Sequence, residues 1–245
     1  MHHFFVLPGQ IRSGEVYMKG SDVRHMSSVL RMKPGEQVTI SDQSGKRYYC
    51  RLDRYEEKEA VLSVEQKVVE DRELESRLYL FQSLAKGEKM EWIIQKAVEL
   101  GVYEVIPVET ERSIVRLDAR KAAKRIERWQ VIAEGAAKQS GRGIIPKVHA
   151  VLNYEQALAY ADKLDVSLIP YETAENMFET RRIIGAIAPG CSVGVFIGPE
   201  GGFAEGEIEL AVKHRIWPIT LGKRILRTET AGIAVLSILM YHLEC

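Results

Sequence analysis

The chain has 245 residues, enough for one large domain or two smaller ones with a substantial core. Its 34 Lys+Arg balance 34 Asp+Glu, so overall charge argues for no partner, and only the distribution of charge is informative. The three cysteines, Cys50, Cys191 and Cys245, lie far apart and exclude a disulfide framework or a zinc spacing; with no HExxH pattern among six histidines, no metal is expected.

The N-terminus lacks the basic-then-apolar order of a secretion signal. The longest apolar run, near Gly232–Met240, falls well short of the ~20 residues of a membrane span. A soluble cytoplasmic protein with no membrane partner is the expectation, and the odd cysteine number fits a reducing compartment.

Residues 1 to about 72 read as β-rich. The segments Phe4–Leu7, Glu15–Met18, Gln37–Ser41, Arg47–Leu52 and Glu59–Val64 alternate or carry β-branched and aromatic residues. Turn signals separate them at Pro8-Gly9, Lys33-Pro34-Gly35 and Asp42-Gln43-Ser44-Gly45. One helix is predicted over Ser21–Leu30, with Ser21 or Asp22 as its N-cap. Short strands at this spacing suggest a small barrel. Residues 1–52 hold eight Lys/Arg against four Asp/Glu, and Arg24, His25, Arg31 and Lys33 gather in one segment. Such a surface suits RNA, although ordinary solvated charge produces the same pattern. An acidic stretch from Arg54 to Glu75 closes this domain, with the boundary near Asp71-Arg72.

From Arg77 the pattern alternates strand and helix. Strands are predicted at Leu78–Gln82, Val102–Val108, Asp165–Pro170, Ser192–Ile197 and Ile216–Leu221. Helices are predicted at Lys89–Leu100, Asp118–Gln139, Asn153–Asp162, Glu175–Ile187, Ala204–Lys213 and Thr230–Leu243. This grammar means an α/β domain with a mainly parallel sheet. The helix at 118–139 is basic: residues 112–147 carry ten Lys/Arg against three Asp/Glu.

Standard nucleotide motifs fail. No GxGxxG follows a strand, no GxxxxGK[ST] exists, and no GxSxG is present. Two loops at strand ends remain: Gly198-Pro199-Glu200-Gly201-Gly202-Phe203 and Leu221-Gly222-Lys223-Arg224-Ile225-Leu226-Arg227-Thr228-Glu229-Thr230-Ala231. Ligands of open α/β sheets bind at the carboxyl ends of strands, so these loops are expected to meet in one site. Glycines there let backbone approach a flat ligand; tight turns alone also explain them. Arg224, Arg227 and Glu229 lie between a buried strand and a buried helix, where charges are normally paired. Either Arg227–Glu229 is a structural pair that orients Arg224, or both arginines face a phosphate or base carbonyl.

At these residues the chain resembles the RsmE family of SPOUT-class RNA methyltransferases, which methylate N3 of a uridine in 16S ribosomal RNA. The resemblance covers the whole chain and includes HMSSVLRMKPGEQV, QSLAKGEKMEWIIQKAVELGV, ERSIVR, ERWQVIAEGAAKQSGR, IGPEGGF and LGKRILRTETA. It implies an α/β protein with a PUA-like β-barrel at 1–72 for RNA binding and a SPOUT methyltransferase domain at 73–245 with a trefoil knot. It implies a homodimer that acts on 16S rRNA in the small ribosomal subunit, with S-adenosylmethionine as cofactor.

By motif position the resemblance places the cofactor against four segments. These are Leu168, Pro170, Tyr171 and Glu172 at a strand end; Ile197, Gly198, Pro199, Gly201 and Gly202 in the first loop; Leu221, Gly222, Ile225 and Leu226 in the second; and Thr228, Thr230 and Ala231 at the last helix. Arg224 is the candidate for stabilising charge on the uracil, with Arg227 and Glu229 fixing its loop. A base would be Glu200 or Glu229. RNA contacts are expected at Arg12, Arg24, His25, Arg31, Lys33, Lys86, Arg112 and Arg142. Lys86, Glu91 and Lys96 match a further family block and serve either surface salt bridges or RNA and interface contacts. The competing readings are a ribose 2′-OH target, a non-catalytic ribosome-assembly factor that binds RNA, and a dehydrogenase with a degenerate fingerprint.

Overall fold

The structure is a computed structural model that describes residues 1–68, 72–172, 174 and 176–244. The chain divides into two compact units, Met1–Glu73 with Ala137–Ile145, and Leu74–Ala136 with Pro146–Cys245. Of the residues at the expected boundary, Asp71 lies outside the described residues.

The first unit contains β1 (His2–Phe5), β2 (Ile11–Arg12), β3 (Glu15–Lys19), α1 (Ser21–Arg24), β4 (Gln37–Ser41), β5 (Arg47–Tyr55) and β6 (Glu59–Val68). They form one sheet in the order β1-β4-β5-β6-β3-β2. All pairings are antiparallel except β1 with β4. Period-two alternation buries Val16 and Met18, Val38 and Ile40, Cys50 and Leu52, and Ala60 and Leu62 in one cluster. The β4–β5 turn is fixed by Asp42, whose Oδ1 accepts the Ser44 and Lys46 N–H groups at 2.9 and 3.2 Å.

The helix expected over Ser21–Leu30 is shorter and wider. After α1 the chain makes a π-helical turn at His25–Val29, and Arg31 ends it in the left-handed region at φ 53. The Met32 N–H closes onto the Met26 carbonyl at 2.9 Å. Six residues apart, these methionines would sit about 240° apart around a regular helix. The wider turn puts both into the core.

His3 is partly buried beside β4, and its Nε2 lies 2.8 Å from Ser41 Oγ. Burial, aided by the Arg47 guanidinium, lowers its pKa to about 4. The folded form therefore keeps His3 neutral where the unfolded chain binds a proton. We expect the first unit to lose stability as pH falls from about 6.5 towards 4, with no His3 contribution above that window. Urea titrations of wild type and His3→Gln across this range test it; the variant's stability should vary less.

The second unit contains β7 (Arg77–Ser83), α2 (Lys89–Glu99), β8 (Val102–Glu109), α3 (Ala119–Ser140), β9 (Lys147–Val148), β10 (Leu152–Asn153), α4 (Tyr154–Ala161), β11 (Val166–Pro170), α5 (Met177–Gly185), β12 (Ser192–Ile197), α6 (Glu205–Lys213), β13 (Trp217–Ile219) and α7 (Thr228–Leu243). The last residues of α3 belong to the first unit. The strands run β10-β8-β7-β12-β11-β13, with β9 beside β8, and every pairing is parallel. A parallel sheet is covered on both faces, so β7 and β12 are near-continuous apolar runs. On one face Tyr79, Phe81 and Phe196 pack against Tyr154, Ala157 and Leu158 of α4 and Ala211 of α6. On the other, α7 lies across β7 and β12 and packs against α2.

Two of the predicted helix starts move by two residues. Of the helix predicted from Glu175, that first residue lies outside the described residues, and the observed helix is Met177–Gly185, capped by Asn176 Oδ1 on the Glu179 N–H at 3.1 Å. α7 begins at Thr228 rather than Thr230, because Arg227 has the extended backbone of an N-cap, φ −63 and ψ 153. Thr228 and Glu229 are thereby in the helix's first turn. Among the described residues no helix is long and apolar enough to cross a membrane.

Candidate functional site

The carboxyl ends of β11, β12 and β13 open onto a cavity of about 600 Å³, within the range of small-molecule sites. Pro170, Tyr171 and Glu172 line it from β11; Ile197, Gly198, Pro199, Gly201 and Gly202 follow β12; Leu221, Gly222, Arg224, Ile225, Leu226 and Arg227 follow β13. Thr228 and Ala231 of α7 complete the wall, with Lys89, Glu200, Phe203 and Thr220. The two loops singled out in the sequence therefore do meet. Leu168 is elsewhere: it is fully buried inside β11, paired with Val195 and Trp217. Thr230 is exposed on α7 and does not line the cavity.

Each loop is held by specific bonds. After β12, the Gly202 N–H donates to the Pro199 carbonyl at 3.0 Å, closing a turn, and the chain leaves that turn with Gly202 at φ 67. Arg112 donates to the Gly201 carbonyl at 3.1 Å. A Cβ on Gly198 would lie 3.2 Å from the Phe203 ring, so only glycine fits comfortably there. After β13, the Thr220 N–H donates to Thr180 Oγ1 at 3.0 Å and the Gly222 N–H to Thr220 Oγ1 at 3.2 Å. Gly222 takes φ 109, where an L side chain is strained.

A buried chain of bonds joins the loops to the sheet. Gln82, fully buried at the end of β7, donates through Nε2 to Thr228 Oγ1 at 3.0 Å. Thr228 Oγ1 in turn donates to the Gly198 carbonyl at 2.6 Å. The start of α7 is thus pinned to the first loop. Thr228→Val leaves that carbonyl and the Gln82 amide short of partners. We expect a loss of about 1–3 kcal/mol, read by urea denaturation, with Thr228→Ser close to wild type.

The charged residues are arranged differently from the expected Arg227–Glu229 pair. Glu229 faces Lys89, whose Nζ is 3.8 Å from Glu229 Oε2 and 2.9 Å from Glu200 Oε1. Arg224 and Arg227 are exposed at the cavity wall, and neither forms an ion pair among the described residues. The reason is the early start of α7, which turns Glu229 towards α2. Burial would raise the pKa of Glu200, but the Lys89 ammonium and the Lys86 N–H outweigh it and hold the carboxyl below its ordinary range.

Of the residues considered for RNA contact, Arg12, Arg24, His25, Arg31, Lys33, Lys86 and Arg112 are exposed. Arg142 is not. It is buried and pairs with Glu73, its Nε donating to Oε2 at 3.1 Å, so its guanidinium braces the first unit internally. Glu91 and Lys96 form surface pairs, with Arg128 at 2.8 Å and Glu99 at 2.9 Å. Lys89 and Thr220 are not among the residues singled out in the sequence, and Phe203 is named there only as the end of the first loop. For Gln82 a signal existed: it is an amide in an otherwise apolar strand.

Known proteins divide the chain in a similar way. A model of the RNA methyltransferase domain matches residues 72–240, and a model of the RNA methyltransferase PUA domain matches 19–65. The ribosomal RNA small subunit methyltransferase E of Bacillus subtilis (strain 168) is 37% identical over 228 residues, 92% of this chain and 89% of that protein. The chain belongs to the ribosomal RNA small subunit methyltransferase E family. The namesake of Mesomycoplasma hyopneumoniae (strain 232) is also 37% identical, over 70% of this chain and 73% of its own. The crystal structure of the family member from Neisseria gonorrhoeae, bound to S-adenosyl methionine, superposes with a TM-score of 0.85 at 36% identity, covering 98% of this chain and 97% of that one.

The cavity suits that cofactor. Gly202 and Gly222 both line it, and a Cβ built on Gly202 meets nothing within 4 Å, so a side chain there would occupy the space a ligand needs. Backbone, Leu221 and Leu226 offer a polar edge and an apolar wall for a purine.

Proposed function

We propose that this protein transfers a methyl group from S-adenosylmethionine to N3 of a uridine in the 16S RNA of the small ribosomal subunit. It is an S-adenosylmethionine-dependent rRNA methyltransferase. The observation that carries it is the one cavity at which both glycine loops meet, with two arginines at its wall that form no ion pair among the described residues.

When bound, the cofactor supplies an electrophilic methyl group. The chain's own residues must do the rest. Pro170, Tyr171 and Glu172, then Ile197, Gly198, Pro199, Gly201 and Gly202, and Leu221, Gly222, Ile225 and Leu226 would hold the cofactor, with Thr228 and Ala231 beside them. The imide of uracil is a poor nucleophile until its proton leaves, and the negative charge then spreads onto O2 and O4. Arg224, exposed and without a carboxylate partner among the described residues, is placed to donate to that charge. Arg227 gives the loop a second cation. Glu200 is held ionised by Lys89, which makes it a poor proton acceptor and a better orienting group. Glu229 does not line the cavity.

The first unit would grip RNA as a PUA-like barrel, with exposed Arg12, Arg24, His25, Arg31 and Lys33 on its surface. Lys86 and Arg112 would add contacts near the cavity. The second unit would carry the trefoil knot. In support, the chain leaves the edge strand β13 and starts α7 against Gly198 and Gln82, at the ends of the central strands β12 and β7. A homodimer is supported by exposed Ile238 and Tyr241 on α7, 43% and 85% accessible. Work on ribosomal subunits fits a cytoplasmic enzyme.

The test is methyl transfer from labelled S-adenosylmethionine to small subunits from cells lacking this protein, followed by nucleoside analysis. The product expected is 3-methyluridine. Another methylated nucleoside would overturn the target, and absence of both transfer and cofactor binding would overturn the enzyme.

A further inference from the structure

We infer that Lys89 is a positioning residue of the transfer site, whose ammonium ties the loop after β12 to the start of α7 through Glu200 and Glu229. The inference rests on the methyltransferase reading of the cavity and adds a residue that the loop motifs do not contain. Lys89 is the first residue of α2. Its Nζ stands 2.9 Å from Glu200 Oε1, in the loop after β12, and 3.8 Å from Glu229 Oε2, in the first turn of α7. The same Glu200 oxygen accepts the Lys86 N–H at 3.2 Å, so the segment leading into α2 and the first residue of that helix both hold the loop. Glu229 Oε2 is buried and has no hydrogen bond, which leaves Lys89 as its nearest charge compensation.

Lys89 and Glu200 line the cavity beside Arg224 and Arg227. Without the ammonium, a carboxylate from the loop after β12 and one from the first turn of α7 would have no cation between them. Glu200, which lines the cavity, would then repel an anionic RNA and the charge that develops on its base, and Glu229 would keep a buried carboxylate oxygen with no cation beside it. The loss should therefore fall on the transfer step and leave cofactor binding intact.

Lys89→Met, Lys89→Arg, Glu200→Gln and the Lys89→Met/Glu200→Gln double variant test this in the full chain. Cofactor affinity is measured by calorimetry, and single-turnover methyl transfer on small subunits. Lys89→Met should slow transfer by on the order of tenfold or more with affinity unchanged. Lys89→Arg should recover most of the rate. In the Glu200→Gln background, Lys89→Met should cost clearly less than in wild type, since the two act as one unit. Equal losses in both backgrounds would overturn the inference, as would wild-type speed in Lys89→Met or joint loss of rate and cofactor binding that arginine does not restore. If wild type itself transfers no methyl group, the methyltransferase reading falls and the inference with it; an active wild type isolates the role of Lys89.

Discussion

Arg224→Ala is expected to lower the rate of RNA methylation by about 10²–10³-fold, the usual cost of removing one preorganised donor from a developing anion. Cofactor affinity should not change. Arg224 is exposed and forms no ion pair among the described residues, so truncation strands no buried charge and creates no void. Its loop is held by other bonds, from the Gly222 N–H to Thr220 Oγ1 and from the Thr220 N–H to Thr180 Oγ1. Urea stability should therefore match wild type. Arg224→Lys should recover only part of the rate, because an ammonium gives a point charge and not a planar fork of donors. Single-turnover kinetics beside cofactor calorimetry separate the two effects. Full turnover in Arg224→Ala would move the electrostatic role to Arg227, which also lines the cavity.

The architecture of the second unit was legible because each level of the sequence agreed. Apolar runs bounded by glycine-rich loops alternate with helical periodicity, and that pattern admits a parallel sheet with its ligand at the strand ends. The site loops were legible for the same reason, since glycines cluster where backbone must bend or lie open. What escaped was long-range. Lys89 reads as an ordinary surface lysine at a helix start, and its pairing with Glu200 spans 111 positions. Arg142 reads as one more charge on a basic helix, yet it turns inward to Glu73, 69 positions away. No local pattern encodes either pairing. The wide turn at His25–Val29 was hidden because its cause, the burial of both Met26 and Met32, lies in the packing. The start of α7 was misplaced by two residues because the N-cap is Arg227, a residue that makes no side-chain cap.

Phe196→Ala should be the most damaging core substitution near the site, costing about 3–5 kcal/mol. Phe196 is 1% exposed and stacks on Phe81 with ring centroids 4.3 Å apart and planes 3° from parallel. Tyr154 meets its ring edge-on at 6.3 Å. Truncation forfeits that pair, worth about 0.5–1.5 kcal/mol beyond burial, and opens a void the two flanking parallel strands cannot close. The urea midpoint of the second unit should fall while the m-value holds. Phe81→Ala in the same background should cost less than it does alone, because the partner ring is already gone. The damage should also reach function. Phe196 is followed directly by Ile197 and Gly198, so a strand end that settles into the void carries the cofactor loop with it. Cofactor affinity should fall in Phe196→Ala and hold in Arg224→Ala. A Phe196→Ala protein that binds cofactor as tightly as wild type would show that Arg112, Gln82 and Thr228 hold the loop without the strand beneath it.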